Sequence, residues 1–149
     1  MISEWGATKK HIPVLQEDVL SYLAVKPDGI YLDGTLGLGG HASAVQKQLS
    51  PKGQLVGFDG DEEAVRHCEK LLSPSCHLAQ APYDTFPQQL SSFSIQTVDG
   101  MLLDLGMSSY QLDTPARGFA YRTEGPLDMR FDENGPATAR HIVNSWPVS

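Results

Sequence analysis

The stretch Ile30-Tyr31-Leu32-Asp33-Gly34-Thr35-Leu36-Gly37-Leu38-Gly39-Gly40-His41 decides the fold. Its apolar start reads as a short buried strand. The glycines that follow let the backbone turn sharply and approach a ligand closely. Residues 41–49 then read as a helix, ended by Ser50-Pro51-Lys52-Gly53. A loop that leaves a strand and enters a helix sits at the carboxyl edge of a parallel sheet, where such folds bind ligands.

The pattern extends in both directions from this loop. Upstream, Lys26-Pro27-Asp28-Gly29 is a turn, preceded by a short helical pattern of Val14, Val19, Leu20 and Leu23. Downstream, residues 54–58 form a second strand. Asp61 is placed to cap the next helix, with Glu62 and Glu63 in its first turn and Val65, Cys68, Leu71 and Leu72 at helical spacing. Residues 76–81 read as a third strand, 83–90 as a short helix and 98–105 as a fourth strand around Met101-Leu102-Leu103. This alternation predicts a Rossmann-like α/β fold, a parallel sheet with helices on both faces. Beyond Leu105 the alternation stops. Residues 106–136 are rich in Gly, Pro, Ser and Asp without a period, and a last helix is expected near Pro136. Four strands are few for a complete doubly wound sheet, so a truncated chain is expected.

Composition sets the outer bounds. The 149 residues suit one domain, and 40% hydrophobic with 19% charged residues reads as globular rather than disordered. No apolar run approaches the roughly 20 residues of a membrane helix. The N-terminal residues lack the pattern of a secretory signal, and Cys68 and Cys76 read as reduced thiols, so a cytoplasmic location is expected. The net charge of −7 argues against a protein that simply coats nucleic acid. That acidity belongs to residues 11–110, whereas residues 111–149 carry four arginines against five acids. A few arginines in a shaped site can still meet RNA.

Two ligand classes fit the glycine loop. Gly37-x-Gly39-x-x-Ala42 matches a dinucleotide fingerprint. A dinucleotide would bring an anionic pyrophosphate to the loop, and Asp33 at the strand end would repel it. S-adenosylmethionine carries no phosphate, and its cationic amino group and sulfonium suit a carboxylate at Asp33. A plainer reading is a glycine turn with an incidental acid. Asp59 ends the second strand, twenty residues after Gly39, where this fold grips ribose hydroxyls. Asp104 closes the fourth strand at the same edge, in reach of cofactor, target amine or both. His67-Cys68 and Cys76-His77 lie at no recognised ligand spacing, so no metal site is expected.

The motifs also carry a family likeness. His11-Ile12-Pro13-Val14-Leu15, Asp33–His41, Leu103-Asp104-Leu105-Gly106-Met107-Ser108-Ser109-Tyr110-Gln111-Leu112-Asp113, Arg117-Gly118-Phe119 and Gly125-Pro126-Leu127-Asp128-Met129-Arg130 occur in that order. Together they resemble the ribosomal RNA small-subunit cytosine-N4 methyltransferase family, from about residue 11 to about residue 144. The tract from Asp104 to Arg130 is the most specific part. The resemblance implies a class I methyltransferase fold and transfer of a methyl group from S-adenosylmethionine to N4 of a cytidine in the decoding region of 16S ribosomal RNA. It implies cofactor contacts at Gly39, Gly40, His41, Asp59, Tyr83, Asp104 and Gln111, joined by Asp33 and Gly37 from the loop reading.

It further implies residues 1–110 as an incomplete cofactor domain and 111–149 as the start of a helical, substrate-recognising insertion. The small ribosomal subunit is the expected partner, and a homodimer is left open. Gly60 stands where the family usually has Arg, and Ala81 replaces a common Gly. Family members are about twice as long, so a non-catalytic cofactor-binding module is the alternative. A nicotinamide-dependent oxidoreductase ranks third. Asp104 is the candidate catalytic residue. Phe119 and Tyr121 are candidates for base stacking, against packing between loop and sheet. Arg117, Arg122 and Arg130 are candidates for phosphate, against local ion pairs with Asp113, Asp128 and Asp132. His11 is a candidate on the substrate side.

Overall fold

The computed structural model describes residues 13–147. His11 and Ile12 of the first motif therefore lie outside the described residues. The chain runs through α1 (Gln16–Leu23), β1 (Ile30–Asp33), α2 (Gly40–Gln46), β2 (Gln54–Asp59), α3 (Glu62–Leu71), β3 (His77–Gln80), α4 (Phe86–Ser92), β4 (Gly100–Leu102), α5 (Ser109–Asp113) and α6 (Ala139–Ser145). Two single 3₁₀ turns, Tyr83–Thr85 and Pro115–Arg117, precede α4 and follow α5.

The four strands form one parallel sheet in the order β3-β2-β1-β4. The chain builds outward from β1 through β2 to β3, then crosses back to lay β4 on the other side of β1. The strand order thus reverses between β1 and β4, which opens a crevice at their carboxyl ends, the usual ligand position in open α/β sheets. Side chains alternate across the sheet with the period of two that strands impose. Tyr31 and Leu55 join Leu36, Ala42, Val45, Val65, Cys68 and Leu72 on one face, where α1 also contributes Leu20 and Leu23. Leu32, Val56 and Phe58 join Ala81, Leu90 and Ile95 on the other, beneath α4. Helices cover both faces, as the sequence pattern predicts.

The fourth strand is shorter than its apolar run. Its ladder ends at Leu102, paired with Asp33, so Asp104 lies two residues beyond the strand rather than closing it. Among the described residues β4 pairs only with β1, and Met101 and Leu103 are partly exposed along it.

The tract after β4 is more ordered than its composition suggests. Ser108 caps α5 in a reciprocal box: its Oγ accepts from Gln111 N–H at 3.2 Å, and Gln111 Oε1 accepts from Ser108 N–H at 3.0 Å. The spacing Ser-x-x-Gln is a legible start signal that the Gly- and Ser-rich surroundings hid. Ser108→Ala is expected to destabilise the chain by about 1 kcal/mol, read as a lower denaturant midpoint at unchanged slope. The last helix starts where Thr138 Oγ1 accepts from His141 N–H.

Candidate cofactor site at the carboxyl edge of the sheet

The glycine loop is stitched into the crevice by its own backbone. Gly34 N–H donates to Leu102 C=O at 3.0 Å, Leu36 N–H to Phe58 C=O at 3.0 Å and Gly39 N–H to Leu36 C=O at 2.7 Å. These bonds tie the loop to both neighbours of β1. Gly37 and Gly39 have φ of 48° and 73°, in the left-handed region that side chains disfavour. A Cβ on Gly39 would also stand 2.9 Å from Cys68 Sγ, whereas one on Gly37 would meet nothing within 4 Å. Gly39 therefore packs against α3, and Gly37 faces open space. Cys68 is a buried thiol pushed up to about 12, first by burial and then by the nearby Asp33 and Asp59. That makes it an inert packing residue.

Three carboxylates converge here. Asp33 is 3% exposed, and Thr35 N–H donates to its Oδ1 at 3.0 Å. Its Oδ2 is buried and has no hydrogen-bond partner among the described residues. Burial is the main cause that pushes the Asp33 carboxyl up to about 7, with the charges of Asp59 and Asp104 adding to it and the Thr35 bonds opposing it. Asp59 holds both sides of its carboxylate in backbone bonds. Oδ2 accepts from Gly37 N–H at 2.8 Å and Oδ1 from Asp61 N–H at 2.9 Å. Burial raises the Asp59 carboxyl above its usual range, while those two bonds and the charge of Arg117 pull it back. The free lone pairs of this held carboxylate remain to accept hydroxyls.

Asp104 closes the mouth. Its N–H donates to Thr35 Oγ1 at 2.7 Å, so the loop fixes its backbone. Its side chain is exposed, with Oδ2 3.7 Å from Nε2 of the buried His41. Tyr83 is half exposed, and its Cβ lies 3.3 Å from where a Gly34 Cβ would stand, which puts it on the rim. Gly40 opens α2 immediately before His41.

Gln111 is 3% exposed, and its amide is engaged at both ends, by Ser108 and by Asp61 Oδ2 at 2.8 Å. Asp61 does cap α3, with Glu63 N–H donating to its Oδ1 at 3.0 Å. Its Oδ2 also receives Arg117 Nη1 at 2.7 Å. The partner of Arg117 is thus Asp61 rather than Asp113, and the pair is almost wholly buried. Arg117 Nη2 donates to the carbonyls of Arg130 and Phe131. Glu63 and Glu133 lie 3.6 and 3.3 Å from its guanidinium. Nothing in the local sequence signals this pair, because its members are 56 residues apart.

The structure also sorts the candidates for nucleic acid. Arg130 is forked onto Asp128 through two bonds of 2.8 Å and Arg117 is buried against Asp61, so these two of the three candidate arginines are engaged in ion pairs within the chain. Phe119 packs on Phe131, with ring centroids 5.3 Å apart, and beneath Arg117. Tyr121 is 91% exposed, with Arg122 over its ring. Both stand on residues 118–129, which wrap an open concavity of about 830 Å³. Among the described residues no group of three His, Cys, Asp or Glu is placed to hold a metal ion, and no helix is long and apolar enough to cross a membrane.

Comparison with known proteins bears on the fold and the family. A candidate rRNA-methylase structure from Clostridium thermocellum superposes with a TM-score of 0.54 at 19% identity, covering 66% of this chain and 54% of that one. That likeness concerns the fold. "Ribosomal RNA small subunit methyltransferase H 2" of Agathobacter rectalis is 45% identical over 141 residues, 92% of this chain and 45% of its own length. "Ribosomal RNA small subunit methyltransferase H" of Halothermothrix orenii is 47% identical over 140 residues, with the same coverage. The chain thus spans about half the length of the curated relatives it matches. Residues 8–149 match the MraW methylase family, and the chain belongs to that family.

Proposed function

We propose that this chain is the cofactor-binding part of an S-adenosylmethionine-dependent methyltransferase. Its substrate on this reading is N4 of a cytidine in the decoding region of 16S ribosomal RNA, within the small ribosomal subunit and in the cytoplasm. The observation that carries the reading is Asp33. Among the described residues its buried Oδ2 has no hydrogen-bond partner at the root of the glycine loop, as expected of a group reserved for a cationic ligand. A pyrophosphate there would meet Asp33, Asp59 and Asp104 together, which disfavours a nicotinamide dinucleotide. The names of the relatives support ribosomal RNA as substrate.

S-adenosylmethionine supplies a methyl group activated by its sulfonium. In this reading Asp33 and the backbone of Gly37, Gly39 and Gly40 hold its amino acid end, Asp59 its ribose hydroxyls and Tyr83 its adenine. His41 and Gln111 complete the wall. Cytosine N4 shares its lone pair with the ring and is a weak nucleophile. The protein must hold it at near-attack distance, about 3–3.5 Å from the methyl carbon. Asp104, exposed at the mouth, accepts a hydrogen bond from the target amine and so raises its nucleophilicity; as the N4–CH3 bond forms the S–CH3 bond breaks, the cofactor leaves as the neutral thioether, and one amine proton is released. The base reaches it only after leaving its stack. Residues 1–110 act as cofactor domain, and 111–149 begin the substrate-recognising region. Tyr121 with Arg122 offers a ring and a cation for the displaced RNA. Tyr121→Ala is accordingly expected to raise the RNA KM about tenfold and to leave cofactor affinity unchanged.

The test is transfer of labelled methyl from S-adenosylmethionine to unmethylated small ribosomal subunits, followed by nucleoside mass spectrometry. N4-methylcytidine is the expected product, and methyl on another base would overturn the N4 assignment. Binding without transfer would favour the second reading, a non-catalytic cofactor-binding module.

A further inference from the structure

We propose that Asp61 and Arg117 are positioning residues that clamp residues 109–131 to the acid Asp59, so that this segment and the cofactor are held or released together. The inference rests on the reading of Asp59 as a cofactor-binding acid.

The path between the two regions is continuous. Arg117 Nη1 and Gln111 Nε2 both donate to Asp61 Oδ2, at 2.7 and 2.8 Å. Asp61 in turn donates its backbone N–H to Asp59 Oδ1, and Asp59 Oδ2 receives Gly37 N–H from the glycine loop. A guanidinium at position 117 thereby sets the backbone that aims Asp59. From the other side, Arg117 Nη2 gathers the carbonyls of Arg130 and Phe131, which closes residues 117–131 into one unit. The chain supports that closure, since Met129 N–H donates back to Arg117 C=O at 3.1 Å. The unit also lies close over the same turn: Phe131 Cβ lies 3.5 Å from where a Cβ on Gly60 would stand. Gly60 sits between the two acids, so the segment meets the Asp59–Asp61 turn through charge and would touch a side chain placed there. The charge of Arg117 also favours the ionised form of Asp59 against its burial.

Capping alone would not need this arrangement. Oδ1 of Asp61 already serves the α3 N-terminus, and the arginine and the glutamine both converge on the other oxygen. An uncharged capping residue would satisfy the helix and take from Arg117 its buried counter-charge, leaving only the exposed Glu63 and Glu133 near it. The two roles can therefore be separated by substitution, because Asn is about as good an N-cap as Asp.

The experiment compares the wild-type chain with Asp61→Asn, Arg117→Met and the double variant. Titration calorimetry with S-adenosylmethionine is run beside amide hydrogen exchange. Each single variant is expected to bind at least tenfold more weakly and to exchange the Gly37 amide at least tenfold faster. The Val56 and Phe58 amides in the sheet should keep their protection. The double variant should be no worse than the weaker single one, as for two members of one unit. Arg117→Lys keeps the charge but lacks the fork that reaches Asp61 and two carbonyls together, and should fall between wild type and Arg117→Met. It also serves as the decisive variant should Arg117→Met cost the sheet its protection. Affinity within twofold of wild type and unchanged Gly37 exchange would overturn the proposal. A wild-type chain that fails to bind S-adenosylmethionine would refute the cofactor reading instead, and the exchange comparison would still decide the clamp.

Discussion

Asp59→Ala is expected to weaken S-adenosylmethionine binding by about 100-fold. Hydrogen bonds to a charged group contribute about 1.5–3 kcal/mol each, and a hundredfold loss corresponds to about 2.7 kcal/mol. Removing the carboxylate also frees Gly37 N–H, now held at 2.8 Å, and with it one anchor of the glycine loop. Asp59→Asn keeps one oxygen and should lose about tenfold. Titration calorimetry reads both, and an unchanged affinity in Asp59→Ala would remove this residue from the site.

Lowering the pH should weaken the same binding through Asp33. With its carboxyl pushed up to about 7 by burial, Asp33 is ionised at mildly alkaline pH and mostly neutral at pH 5. A cationic amino group is attracted only to the ionised form. Each pH unit below 7 then costs close to tenfold, roughly 50- to 100-fold between about pH 7.5 and 5. Binding near neutrality should release a proton, seen as a heat that depends on the buffer. Asp33→Asn should bind weakly at every pH and flatten the profile. Free-chain stability runs the opposite way to binding. An acid whose folded pKa lies above its unfolded value holds more protons when folded. Stability from this group is therefore greatest below about pH 4 and declines as pH rises towards 7. A flat binding profile in the wild-type chain would show that Asp33 is not the amine's partner.

Most of the sheet was legible because its signals are local. The apolar runs ending in Asp33 and Asp59 are β1 and β2, and Asp61 followed by two glutamates marked the start of α3. The apolar run predicts a longer fourth strand because Leu103 continues it, while pairing with β1 stops at Leu102. The segment after β4 carries one local signal, the Ser108-x-x-Gln111 cap, while the rest of its order comes from contacts distant in sequence. Arg117 is buried by Asp61 and by the carbonyls of Arg130 and Phe131, and no window of neighbouring residues contains that set. The arginines show the same limit. Composition offers Arg117, Arg122 and Arg130 as equals, and only the folded chain separates the buried Arg117 and the Asp128-paired Arg130 from Arg122 beside exposed Tyr121. At the site itself, the glycine loop and its acids could be named from spacing. The unpartnered oxygen of Asp33 could not, because burial is a property of the whole fold.

The most direct test of the central claim is calorimetric titration of this chain with S-adenosylmethionine, with NADH as the comparison. Micromolar binding of S-adenosylmethionine and none of NADH is the predicted result. Binding of NADH, or no binding of S-adenosylmethionine by a chain that is demonstrably folded, would contradict it.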